Sequence, residues 1–337
     1  MRKTIFFCGA AVLAIVSPRR IDASYLYNLT TVQSVINLEA SGDILGGALT
    51  VTEQNSNAVT RYQGAVETNF HAGYGANSRI SFPGGGAANA INPTIFGLPY
   101  PYSPGIGGGA GSAPANYGIT LTAPTDIVLP PIEIPDFGTI NLGTITAVNF
   151  QLALRETQLS VTSAAQIPID PVARTFDASL LTINVDQSFA DINASVRFKQ
   201  DNFLDWGAVG LFLAAIQTSL PDLGLTITPS LFGLHYDIGF GTRADLSGAS
   251  LANAPTVDGI VTYNEVTEAS NLTIPINTGL GDIDFGFGNI SLTLVGQLRG
   301  SATIPNIYHV PEPSSLMLVG IVGLGAATYR RRNLLGK

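Results

Sequence analysis

The stretch Ile290-Ser291-Leu292-Thr293-Leu294-Val295-Gly296-Gln297-Leu298-Arg299-Gly300-Ser301-Ala302-Thr303-Ile304 places apolar or small residues at every even position and, Val295 apart, sets polar ones between them. A period of two turns successive side chains to opposite faces of an extended chain. The segment therefore predicts a long strand with one face on a core and one in water. Working outward, Val257, Gly259, Val261 and Tyr263 suggest a second strand, and Val148, Phe150, Leu152 and Leu154 a third. Past Arg155 the apolar face resumes out of phase at Leu159 and Val161, which a bulge near Arg155-Glu156-Thr157 would produce. Leu181, Ile183 and Val185 on one side of Gln187-Ser188, and Ile192, Ala194, Val196 and Phe198 on the other, read as two short strands of a hairpin.

Only Asp205 to Leu220 favours helix: Trp206, Val209, Leu213, Ile216 and Leu220 recur at three-or-four spacing, with Asp205 as cap and Pro221 as stop. A buried strand competes, because Val209 to Ile216 is continuously apolar. The expected fold class is all-β, mainly antiparallel and sandwich-like or of a related β architecture, with at most one or two short helices. An N-terminal signal helix and a C-terminal transmembrane helix would be added to it.

Of 337 residues, 45% are hydrophobic and 12% charged, about half the usual charged fraction, which excludes disorder throughout. Sixteen Lys and Arg against 24 Asp and Glu argue against a nucleic-acid binder. Between Ile80 and Thr125 no charge occurs, and Gly84-Gly85-Gly86, Gly107-Gly108-Gly109 and the Pro-Tyr-Pro-Tyr-Ser-Pro run at 99–104 crowd the stretch. Gly and Pro at that density predict a long surface loop. The roughly 56 residues before it are too few to stand alone, so their strands are expected to join the same sheet system.

The two ends read as addresses. Arg2 and Lys3 precede an apolar run from Thr4 to Val16, and Ala23 is followed by Ser24-Tyr25-Leu26-Tyr27, the plan of a secretory signal cut between Ala23 and Ser24. The single cysteine, Cys8, falls inside that leader, so the mature chain would have no thiol chemistry. At the other end, Val310-Pro311-Glu312-Pro313-Ser314-Ser315 leads into an uncharged run from Leu316 to Tyr329 and then Arg330-Arg331-Arg332. The prolines keep helix from starting earlier, Ser314 or Ser315 can cap its first turn, and the arginines act as a stop-transfer element favoured at the cytoplasmic face. From Ser314 to Tyr329 such a helix would extend about 24 Å, against a hydrocarbon core of about 30 Å. The organisation is thus a leader at 1–23, a β-rich domain at 24–310 containing the 80–125 loop, and a sorting tail at 311–337. Without leader and tail helix the body carries 8 basic and 23 acidic residues, so it is far more acidic than the whole-chain charge of -8 suggests.

This tripartite tail resembles the PEP-CTERM sorting signal of exopolysaccharide-producing Gram-negative bacteria, over the last 28 or so residues only. The resemblance implies that an integral-membrane exosortase, a cysteine protease-like transpeptidase, recognises Pro311, Glu312 and Pro313 and removes the helix and arginines. It also implies passage through the inner membrane, transient anchoring there, and a final place at the cell surface or outside the cell. Asn333 to Lys337, beyond the arginines, depart from the pattern.

The body yields little chemistry. His71, His235 and His309 are too scattered for a helical zinc motif; His71 and His309 are expected in loops and His235 as a half-buried strand residue. Gly239-Phe240-Gly241-Thr242-Arg243-Ala244 fits a dinucleotide pattern formally, but no helix follows it. Asp282 and Asp284, beside Gly286 and Asn289, are weak calcium candidates, with a solvated turn favoured. Asp201 with Asp205, or Glu265 with Glu268, could do acid–base work on a sugar only if their spacing suited it. Asn28, Asn193, Asn271 and Asn289 head glycosylation-like triplets but are read as ordinary turn and strand residues. Tyr74, Tyr100, Tyr102 and Tyr117 could stack on sugar rings, though loop packing is favoured. No cofactor is expected. Three readings follow: a noncatalytic surface or matrix protein processed by signal peptidase and exosortase, a carbohydrate-binding module acting on exopolysaccharide with or without calcium, and a glycan-cleaving enzyme.

Overall fold

A computed structural model describes residues 23–44, 47–71, 78–92, 94–95, 98–99, 115–122, 126–128, 132–134, 138–140, 144–199, 210–211, 214–215, 218, 226–229, 235–284 and 288–304. The chain begins with β1 (Ala23–Leu29), β2 (Val35–Ile44), β3 (Gly47–Ala48), β4 (Thr50–Asn57) and β5 (Val59–His71). β1 and β2 form one interrupted strand, because both pair with β5: Asn28 faces Ala65 and Val35 faces Arg61. The first part of the chain therefore joins the main sheet rather than standing apart.

The Gly- and Pro-rich region is not uniformly loop. It contains β6 (Arg79–Ser81), β7 (Ala88–Ala90), β8 (Thr94–Ile95), β9 (Leu98–Pro99) and β10 (Tyr117–Thr122). Ile80, Phe82, Ala88, Tyr117, Ile119 and Leu121 are all buried, so both of its ends are core. What composition hid is that a few large apolar residues among the glycines suffice to hold short strands.

Next come β11 (Asp126–Val128), β12 (Ile132–Ile134), β13 (Gly138–Ile140) and β14 (Thr144–Ser163), then β15 (Ile167–Pro168), β16 (Thr175–Phe176) and β17 (Leu181–Lys199). β14 bulges where its apolar phase changes: the register with β17 shifts between Arg155 and Gln158, and Glu156 takes a positive φ of 53°. β17 is one 19-residue strand, not the expected hairpin. Its buried residues change phase between Val185 and Ala190, opposite the bulge of β14, so both strands bend together. Ser188, part of the supposed turn, is buried, and its N–H donates to Ser247 Oγ while its carbonyl accepts from the Leu246 N–H.

The chain closes with β18 (Thr226–Pro229), β19 (His235–Asp245), β20 (Ala249–Ala252), β21 (Gly259–Asn264), β22 (Ala269–Asp284) and β23 (Gly288–Thr303). Ile290, Leu292, Leu294 and Leu298 are buried along β23, as the alternation requires. Gly296 belongs to the same face, where a Cβ would sit 2.2 Å from the Val35 carbonyl oxygen; only glycine lets β2 approach so closely.

Nineteen strands form one system; β8 with β9, and β12 with β13, are separate pairs. Pairings run from β22 through β23, β1 with β2, β5, β7, β14 and β17 to β20. β20 then meets β22 again. The Ala254 N–H donates to Asn277 O, Thr278 Oγ1 donates to Ala252 O, and buried Asn253 joins the two sides. Asn253 Nδ2 donates to Ala178 O and Pro275 O, while its Oδ1 accepts from the Asn277 N–H. The architecture is thus barrel-like around one core, with this asparagine replacing ladder bonds at the seam.

Two sequence expectations are corrected. Helix is nearly absent from the described residues: one 3₁₀ turn at Ala178–Leu180, and helical conformation at 210, 211, 214, 215 and 218 within the expected 205–220 helix. No helix among the described residues is long and apolar enough to cross a membrane. The transmembrane helix, the signal helix and the transiently membrane-anchored localisation drawn from them are therefore withdrawn from the fold description. Residues 1–22 and 305–337, on which they were based, lie outside the described residues. The physical weakness was already present in the tail, whose apolar run falls short of the bilayer core.

Candidate functional site

Ile304, the last of the described residues, is fully buried. Its N–H donates to Glu268 O at 2.8 Å and its carbonyl accepts from Tyr263 Oη at 2.9 Å. Both partners belong to the β21–β22 hairpin. In its turn Asn264 Oδ1 accepts the N–H groups of Val266 and Thr267, and Glu268 adopts a φ of 55°. The turn projects Val266 into water, 93% exposed. β1 pairs with Ser301 and Gly300 through Asn28 and Leu29, so the start of β1 lies at the same end of the barrel as the end of β23.

A second constellation lies on β14, β17 and β19. Asp191 faces Ala153 on one side and Arg243 on the other, and its carboxylate accepts from Arg155 Nε at 2.6 Å and from Arg243 Nε and Nη2 at 2.6 and 2.9 Å. The Arg155 and Asp191 side chains are 5% and 3% exposed, whereas Arg243 is 58% exposed and stacks over the Phe189 ring. Burial by itself would raise the Asp191 carboxyl. Hydrogen bonds from Arg243 and Arg155, with their charge, outweigh it and hold the group below its ordinary value. Around it the buried polar groups interlock: Asn116 Oδ1 accepts the Thr157 N–H at 2.6 Å and the hydroxyls of Thr157 and Ser188 lie 3.2 Å apart, while at the surface Gln187 donates to Glu156. This is an electrostatic clamp on a bent ladder. Sequence reasoning missed it because residues 155, 191 and 243 meet only through strand register; the one linear hint was an arginine at the phase change of β14.

The residues singled out by sequence are dispersed. Ala23 and Ser24 open β1, and Ser24 Oγ donates to Glu67. Asp282 and Asp284 lie on β22 opposite Ser291 and Asn289, and Asp282 accepts from Ser291 Oγ at 2.6 Å. Among the described residues, no group of three or more His, Cys, Asp or Glu is placed to hold a metal ion. His71 is not in a loop: it ends β5, buried, with Nε2 2.8 Å from Ser81 Oγ. His235 is a half-buried strand residue, 3.8 Å from Asp237, which is held below its ordinary value by hydrogen bonding from Arg197. Gly239 to Ala244 belong to β19, antiparallel to β17, with no phosphate-binding turn. Tyr117 is unavailable for stacking on a sugar: it is fully buried, 2.9 Å from the Tyr62 hydroxyl, and burial pushes both phenols up. Glu265 and Glu268 share the β21–β22 turn. Asn28, Asn193, Asn271 and Asn289 all lie on strands. Asp201, Asp205, Tyr74, Tyr100, Tyr102, His309, Pro311 to Pro313 and Arg330 to Arg332 lie outside the described residues.

Comparison with known families identifies a PEP-CTERM protein-sorting motif at residues 309–332. The chain therefore carries this sorting signal at its C-terminus, beginning five residues after Ile304. Searches of curated proteins and of solved structures return no match.

Proposed function

We propose that this is a noncatalytic surface or matrix protein delivered by its tail, with an exosortase recognising Pro311-Glu312-Pro313 and signal peptidase acting between Ala23 and Ser24. The observation that carries the reading is the sorting motif at 309–332, set just beyond a β body in which Ile304 is the last buried residue among the described ones. β23 ends at Thr303 and Ile304 is buried against the β21–β22 hairpin, so the last strand of the body closes before the motif begins. The acidic surface of the body suits a solvated protein that repels other polyanions.

The test is intact mass of the protein recovered from its producing cells, which reports both ends at once. Deleting Pro311 to Pro313 is expected to leave a larger form that keeps Arg330 to Arg332. A deletion variant that matures to the parental mass would show the reading to be wrong.

A further inference from the structure

Chain length sets an upper limit on the distance from the barrel to the recognition element. Ile304 is held on both its N–H and its carbonyl, and Pro311 follows seven residues later. At no more than ~3.6 Å per residue, Pro311 cannot lie farther than about 25 Å from the rim. A folded partner of ~150 residues has a radius of gyration of about 15 Å, so one whose site encloses Pro311 to Pro313 brings its own surface to within about 10 Å of that rim even with the tether fully extended, and against it when the tether is shorter.

The rim is suited to such a contact. Val266 is 93% exposed at the tip of the turn that holds Ile304, and Leu26 on β1 is 52% exposed at the same end. A valine so exposed adds nothing to the core. Glu265, exposed, and Glu268, half-buried, flank it on the turn, which sets the chemistry of a matching face: an apolar contact bordered by basic groups.

We propose that the rim formed by the 264–268 turn and the start of β1 is a contact surface for the protein that reads Pro311-Glu312-Pro313. The short tether presents body and tail to it together. This rests on the sorting reading above and adds that the body is recognised as well as the tail. The tether raises the local concentration of the rim at the partner, so even a weak apolar contact slows release.

The experiment follows maturation of the full chain in its producing cells by pulse–chase and intact mass. Val266→Asp combined with Glu265→Lys, both on an exposed turn, is expected to slow maturation about tenfold while leaving the thermal midpoint of the purified body unchanged. A tail comprising residues 305–337 moved onto an unrelated stable domain is expected to mature comparably slowly. If the rim variant and the transplanted tail both mature at the parental rate while deletion of Pro311 to Pro313 abolishes maturation, the tail is read alone and the proposal is overturned with the sorting reading intact. If the deletion variant also matures normally, the sorting reading fails first and takes the proposal with it.

Discussion

Two long ladders carry this barrel, and they are built differently. β22 and β23 stay in register from Ala269–Thr303 to Asp284–Asn289 with one irregularity, between Gly279 and Gly281, and their inner face is mostly apolar, with the hydroxyls of Ser270 and Thr278 as its buried polar members. β14 and β17 shift register three times, bend together at Arg155 to Leu159, and bury an aspartate between two arginines on the side away from the core. The first ladder is held by hydrophobic burial, which tolerates small changes of shape. The second depends on a charge pair whose halves are each costly without the other. A regular ladder spreads its stability over many residues, and a bent one concentrates it.

That contrast is tested most severely at Asp191. Asp191→Ala takes the buried carboxylate away from the buried Arg155 guanidinium and is expected to cost about 3–5 kcal/mol in urea denaturation; a loss below 1 kcal/mol would erase the distinction between the ladders. At the seam, Asn253→Ala leaves two carbonyls and one N–H without their partner and should cost about 2–3 kcal/mol by the same measurement. On the regular ladder, Gly296→Ala forces β2 away from β23 and is expected to cost about 1–3 kcal/mol, read as a lowered thermal midpoint. Arg197→Ala, which removes an ion pair between β17 and β19 with both side chains over a third exposed, should change stability by no more than about 0.5 kcal/mol.

The sign of the acid response follows from the Asp191 environment. A carboxyl held below its ordinary value of 3.8 contributes stability that is present above that value and is lost as pH falls through the lower folded-state value. Comparison of the parent with Asp191→Asn over pH 2 to 6 should show the stability difference shrinking below about pH 4. A constant difference across that range would mean that the carboxylate charge is not what the arginines hold.

Much of the regular half was legible in the sequence. The alternation from Ile290 to Ile304 placed β23 and its inner face, and the phase change past Arg155 placed the bulge of β14, because a strand's period admits one inner set of side chains at a time. The matching phase change in β17 was misread as a turn. Gln187 and Ser188 look like a polar break in one dimension, but Ser188 finds its hydrogen-bond partners at Thr157, Leu246 and Ser247, far away along the chain. Tyr117 was assigned to a loop for its glycine-rich neighbourhood, whereas Tyr62, 55 positions earlier, draws it into the core. The apolar tail was read as a helix crossing a membrane, and that expectation does not survive as part of the fold.

By itself the sequence determined the β character of the body and its sorting motif, since both are written in short-range order: a period of two, and a contiguous arrangement of proline, apolar run and arginine. Tertiary structure alone decided the barrel seam at Asn253, the Arg155–Asp191–Arg243 clamp and the burial of Ile304 beside an exposed turn. Each of these needs residues separated by dozens of positions to meet, and a meeting of that kind is set by register between strands, which no local pattern encodes.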